Sequence, residues 1–154
     1  RAGAYGGGGL VAGTCSGLAV SEAGRISVSG PEVIETNRGA EEFDARDRAL
    51  VWRTMGGKHR YLIGGADAFA EDTPESFRKA ALGLIDAAAP FDLATLEAEQ
   101  ARLERRLDRF GETLDGRDVW ARLGVNDPEG IPAATDDAFR ASAEGCRESA
   151  RDAR

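Results

Sequence analysis

The chain has 154 residues, 42% of them hydrophobic, enough for one domain with a modest core. Its 27 acidic residues against 20 basic ones give a formal charge of -7, which opposes the attraction that nucleic acids and anionic lipid surfaces exert on basic proteins. No apolar run approaches the roughly 18 to 20 residues of a membrane span, and the N-terminus lacks the regions of a signal peptide. A cytoplasmic protein without nucleic-acid or membrane partners is expected.

The first residues, Arg1 to Gly9, form a glycine-rich loop with no Met and no strand before it, which suggests a truncated start. After the loop, Leu10 to Ser16 is small and apolar enough for a buried helix start. Leu18-Ala19-Val20 and Arg25-Ile26-Ser27-Val28 read as two short strands around the turn Glu22-Ala23-Gly24. Ser29-Gly30-Pro31 is a sharp break, with Pro31 suited to the first position of a short helix to Thr36 and Glu32 favourable near its positive end. A helix is expected over Asp44 to Thr54. Between the pairs Gly56-Gly57 and Gly64-Gly65, the segment Lys58 to Ile63 fits a helix or an extended strand equally.

The second half is richer in Ala, Arg, Asp and Glu. Thr73-Pro74-Glu75 is a helix N-terminus, after which Phe77, Ala81, Leu84, Ile85 and Ala88 share one face until Pro90. Asp92 caps the next helix, where Leu93, Leu96, Gln100, Leu103, Leu107 and Phe110 recur at spacings of three and four, a stripe that must pack against something. Gly111 ends it, and Val119, Trp120 and Leu123 mark a further short helix before the Pro128 to Pro132 break. From Asp136 the chain reads as a polar tail, helical or frayed, with too few apolar residues after Ala141 to anchor itself well.

The loop Gly3-Ala4-Tyr5-Gly6-Gly7-Gly8-Gly9 is the first chemical motif. Successive glycines bring unpaired N-H groups close to a ligand, as an anion or oxyanion site requires. A P-loop is excluded, because it needs a Gly-Lys-Ser/Thr ending and no lysine precedes Lys58. A dinucleotide fingerprint over Gly7 to Ala12, with Glu32 on the ribose, lacks its preceding strand. A plain turn and an oxyanion hole at the start of a helix remain, and the second fits best with the motif that runs from Gly24 to Glu35.

Other groups carry less. Cys15 and Ser16 have no histidine nearby in sequence and no nucleophile elbow. Glu32 and Glu35 more often cap and solvate a helix than act as an acid-base pair. Trp52, Trp120 and the leucine stripe read most simply as core or subunit-interface residues. The cysteines, Cys15 and Cys146, are expected as free thiols, and no His/Cys cluster has metal-ligand spacing, so no metal is expected.

The second motif, Gly24-Arg25-Ile26-Ser27-Val28-Ser29-Gly30-Pro31-Glu32-Val33-Ile34-Glu35, gives the chain a family likeness. Placed after a glycine loop, it resembles the carboxyltransferase branch of the crotonase superfamily. Arg38-Gly39-Ala40-Glu41-Glu42-Phe43-Asp44, Asp47-Arg48, Val51-Trp52-Arg53-Thr54, Gly56-Gly57-Lys58-His59-Arg60 and Gly64-Gly65-Ala66-Asp67 narrow it. These phrases resemble the C-terminal part of the beta subunit of biotin-independent malonate decarboxylases, a likeness that runs over nearly the whole chain. That family's subunit has a sizeable N-terminal part with no counterpart here, so the chain alone is expected to be inactive and poorly folded.

The resemblance implies an α/β, crotonase-like partial core over residues 1–70, C-terminal helices of the same domain over 71–135, and a polar tail over 136–154. It implies decarboxylation of a malonyl thioester to an acetyl thioester and carbon dioxide through an enolate. The enolate oxygen would be held by the backbone N-H groups of Gly6 and Gly7, with Tyr5, Gly8, Gly30, Pro31 and His59 as substrate-binding residues. His59 is the sole histidine, and its neighbours Lys58 and Arg60 suit the phosphorylated arm of an acyl carrier. The substrate carrier would be an acyl carrier protein with a CoA-derived arm, without biotin or any directly bound cofactor. The implied partners are a gamma subunit, the acyl carrier protein subunit and an acyl carrier protein transferase subunit. The alternatives are a biotin-dependent acyl-CoA carboxyltransferase subunit and a non-catalytic assembly module.

Overall fold

A computed structural model describes residues 3–88, 92–112 and 115–147. In chain order the elements are β1 (Gly3–Ala4), α1 (Gly7–Gly13), β2 (Ala19–Val20), β3 (Arg25–Ile26), α2 (Pro31–Arg38), α3 (Arg48–Met55), α4 (Gly57–Leu62), β4 (Ala68–Phe69), α5 (Pro74–Asp86), α6 (Leu93–Phe110), α7 (Gly116–Leu123), a 3-10 turn (Ile131–Ala133) and α8 (Asp136–Ala143). The arrangement is α/β and mostly helical. Among the described residues no helix is long and apolar enough to cross a membrane.

The helix starts follow local chemistry. Asp47, Thr73, Asp92, Asp115 and Thr135 each accept a backbone N-H of their own first turn, which satisfies one of the donors a helix leaves orphaned. Pro31 and Pro74 sit in first turns, where a missing N-H costs nothing. The end of the α5 face, expected at Pro90, lies outside the described residues. Lys58 to Ile63 resolves as α4, whose start is pressed so close to β2 that a Cβ on Gly57 would stand 1.9 Å from the Ser21 carbonyl oxygen.

The two strands expected around the turn at Glu22 form, but they do not pair with each other. β1 pairs with β3 in parallel, in the register Gly3 to Arg25, and β2 pairs with β4 in parallel, in the register Ala19 to Ala68. Parallel neighbours need a crossover. Here α1 lies in one crossover and α2, α3 and α4 lie in the other, so the two small sheets interleave along the chain.

The largest core cluster joins Val20, Leu62, Phe69, Trp120, Ile131 and Phe139. Residues 136–147 are therefore no loose tail. Phe139 is fully buried, Ala143 is buried beside it, and Arg147 donates to the carbonyls of Tyr61 and Ala66 at 3.1 and 2.7 Å. A second cluster of Phe43, Val51 and Met55, with Tyr5 and Ile34 against it, supports the glycine loop from beneath. The stripes of α5 and α6 are a different matter: Ile85, Leu93 and Leu107 are each about two-thirds exposed.

Candidate functional site

The glycine loop stands at the carboxyl end of the β1/β3 pair. Beyond the formal strands the ladder continues, with Ser27 N-H donating to the Ala4 carbonyl at 3.1 Å and Gly6 N-H donating to the Val28 carbonyl at 2.8 Å. Gly6 then turns the chain at φ 56, a left-handed value that favours glycine, and α1 starts at Gly7. Gly9 is needed for a different reason: a Cβ there would lie 2.2 Å from the Ser27 carbonyl oxygen.

Of the two expected oxyanion donors, Gly6 N-H is thus committed within the fold. Gly7 N-H has no acceptor among the described residues and lies at an exposed position, and Gly8 N-H turns back to the Tyr5 carbonyl at 3.1 Å. Neither packing nor backbone conformation asks for glycine at positions 7 and 8. A Cβ on Gly7 would meet nothing within 4 Å, one on Gly8 would meet only the Ala4 methyl at 3.9 Å, and neither residue has a positive φ. Absent side chains at these exposed positions keep the helix end open to an approaching group.

Tyr5, Gly30 and Pro31 gather beside this loop. The Tyr5 ring folds back over Gly3 and lies 3.9 Å from a Cβ built on Gly30, the N-cap of α2, while Pro31 is buried. Tyr5 packs toward Ile34 and the cluster of Phe43, Val51 and Met55, and its buried hydroxyl finds no partner among the described residues. It acts as a floor to the loop. Leu10 and Val11 on α1, Val28 at the ladder bond to Gly6 and Val33 on α2 are each half or more exposed.

His59 is placed differently from the expected substrate contact. It is 8% exposed, and its Nδ1 accepts the Trp120 indole N-H at 3.2 Å, which leaves the ring proton on Nε2. Burial, with Arg60 and Arg106 adding to it and Asp115 opposing, pushes its pKa down to about 3. The imidazole is a neutral structural acceptor at physiological pH. Lys58 is equally internal: its ammonium donates to Glu22 at 3.2 Å and to the carbonyls of Ile131, Pro132 and Ala134 at 3.1, 3.4 and 2.7 Å. The basic turn expected at Lys58-His59-Arg60 therefore closes on the protein itself, with Arg60 donating to the Ile26 carbonyl.

Sequence reasoning missed a cleft of about 310 Å3 between Trp52, Arg53, Glu22, Lys58, Trp120 and Pro132. No local signal could have revealed it, because its walls come from four distant segments. Its cations are already engaged. Arg53 forks onto Asp115 with two contacts of 3.1 Å, and Asp115 also takes the Arg117 guanidinium at 2.9 Å. Burial works to raise the Asp115 pKa, yet the hydrogen bonds from Arg117 and Arg53 hold it well below the usual carboxylate range. Cys15 and Cys146 are free thiols, and among the described residues no group of three or more His, Cys, Asp or Glu is arranged to hold a metal ion.

No family model matches the chain. A malonyl-S-ACP:biotin-protein carboxyltransferase of Malonomonas rubra is 38% identical to it over 151 residues, covering 93% of this chain and 47% of that protein. The chain thus spans about half the length of the curated relative it matches. A chain in the crystal structure of a Pseudomonas malonate decarboxylase hetero-tetramer in complex with malonate superposes with a TM-score of 0.61 at 33% identity, covering 73% of this chain and 39% of the other. The α/β, crotonase-like expectation agrees with that superposition. By sequence over nearly all of its length and by fold over most of it, the chain is similar to part of a malonate decarboxylase β-type subunit.

Proposed function

We propose that this chain supplies the thioester-binding wall of a malonate decarboxylase β-type subunit. The observation that carries the reading is the exposed, uncommitted N-H of Gly7 at the start of α1, in a loop whose glycines at 7 and 8 serve no internal need. A malonyl thioester on an acyl carrier protein places its carbonyl oxygen against that N-H. The bond between the α-carbon and the carboxylate breaks, carbon dioxide leaves, and the electron pair becomes a thioester enolate. A proton added at the α-carbon then gives the acetyl thioester.

The Gly7 N-H acts on the charge that develops on the enolate oxygen, and Gly6 sets its direction through the left-handed turn tied to Val28. One such donor in a site shielded from water is worth about 3 to 4 kcal/mol, on the order of a hundredfold to a thousandfold in rate. The exposed side chains of Leu10, Val11, Val28 and Val33 supply that shielding once covered. Tyr5, Gly30 and Pro31 hold the loop, and Gly8 leaves room for the thioester. The cover is a gamma-type subunit in a cytoplasmic complex that also contains the acyl carrier protein and its transferase.

A second reading has its own support, because the Malonomonas relative is named as a carboxyltransferase to a biotin protein. Both reactions pass through the same enolate, and they differ in whether the carboxyl group leaves as carbon dioxide or moves to biotin. The test is carbon dioxide release from a malonyl thioester, without biotin, by a reconstituted complex containing this chain. Release is expected, together with its loss in Gly7→Val while the complex still assembles. Turnover that appears only with a biotin protein present selects the second reading, and full activity in Gly7→Val removes the oxyanion assignment.

A further inference from the structure

Helix α6 presents an apolar seam that nothing in the described fold covers. Leu93, Leu96, Gln100, Leu103, Leu107 and Phe110 alternate at spacings of three and four, the a/d pattern of a coiled coil. Phe110 at the C-terminal end of the seam packs on Ile63 and Val119, and Arg102, about 100° round the helix from Leu103, is buried, so this flank faces the body of the protein. The four leucines do not: Leu93, Leu96, Leu103 and Leu107 are 66, 49, 42 and 69% exposed.

The seam has a charged edge. At about 100° per residue, Glu97, Glu104 and Asp108 line up along the side of the leucines away from Arg102. All three are exposed, and among the described residues none has a cationic partner; Glu104 accepts only from Gln100 on its own helix. An acidic edge beside an apolar ridge specifies what fits it. A second copy does not, because an antiparallel pair would set the Glu97 and Glu104 edge against itself, and a parallel pair would bring Glu99 toward Glu104 of the other helix. We propose that the α6 seam docks an amphipathic helix of a different protein, one whose apolar ridge is flanked by Lys or Arg where it meets Glu97, Glu104 and Asp108. This inference uses no part of the glycine loop and stands apart from the proposed chemistry.

Two designed helical peptides test it, identical in a leucine seam and differing only in lysine or glutamate along one flank. They are titrated by fluorescence anisotropy at low salt into the protein and into a Glu97→Lys/Glu104→Lys/Asp108→Lys variant. The protein should prefer the lysine peptide by roughly tenfold, from three edge pairs each changing sign, and the triple variant should reverse the preference. A Leu96→Ser/Leu103→Ser variant, altered only at exposed positions and checked by circular dichroism, should lose both peptides. Equal affinity for the two peptides, or none for either, overturns the proposal. So does self-association in sedimentation that vanishes in the Leu96→Ser/Leu103→Ser variant, because the occupant is then a second copy.

Discussion

Replacing Gly9 by alanine drives a methyl group into the backbone beneath the loop. The new Cβ stands 2.2 Å from the Ser27 carbonyl oxygen, 2.9 Å from its carbon and 3.1 Å from the Ala4 carbonyl oxygen. Ordinary contact begins at 3.4 Å, so the Ser27 carbonyl must retreat by 3.4 minus 2.2, or 1.2 Å. Ser27 and its neighbour hold β1 and the loop through the bonds to Ala4 and Gly6, so the retreat loosens both. Overpacking against backbone by so large an overlap costs about 2 to 3 kcal/mol, the upper part of the usual range, and the gain of alanine over glycine in a helix returns roughly 1 kcal/mol. The net loss of about 1 to 2 kcal/mol lowers Tm by roughly 3 to 8 °C in a chain of this size. Gly8→Ala, with only a methyl at 3.9 Å, should instead gain about 0.5 to 1 kcal/mol. Urea and thermal unfolding followed by far-ultraviolet circular dichroism measure both variants. Gly9→Ala as stable as the parent would refute the reasoning, since the close approach of loop and strand would then be absent.

Two further expectations concern the interior below the site. Lys58→Met should cost about 3 kcal/mol in urea unfolding, because it strips the cation from the Ile131, Pro132 and Ala134 carbonyls. Glu22→Gln, at a carboxylate 51% exposed, should cost less than about 1 kcal/mol, and similar losses in the two variants would contradict a buried structural lysine. His59 gives a pH signature. The unfolded chain takes up a proton below the ordinary value of 6.5, whereas the folded chain refuses it until about 3. Stability should therefore fall as pH drops from 6.5 toward 3, at most by roughly 1.4 kcal/mol per pH unit. His59→Gln, which retains an acceptor for the Trp120 indole, should flatten the profile between pH 6.5 and 4.5; an unchanged slope would sink the assignment.

Much of the helical architecture was legible because its causes are local. Thr73 before Pro74 and Asp92 before Leu93 start α5 and α6 where their side chains meet the first free N-H groups, and Pro31 starts α2. The three-and-four spacing of leucines in α6 was equally plain, though it said that the stripe needs a partner and not where one lies. The family likeness came from short phrases in order, and the comparisons with known proteins agree with it.

What the sequence determined by itself was therefore the glycine loop, the capped helices and the likeness to malonate decarboxylase β subunits, all matters of neighbouring residues. The tertiary structure decided the rest. Strands of two residues have no period to read, so their parallel pairing depends on crossovers dozens of residues long. The burial of His59 depends on Trp120, 61 residues away, and the docking of α8 on Phe139 finding Phe69 at 4.7 Å. The commitment of Gly6 to Val28, which leaves Gly7 N-H without an acceptor among the described residues, is likewise a ladder bond between segments, and such bonds are set by how strands meet rather than by the residues beside them.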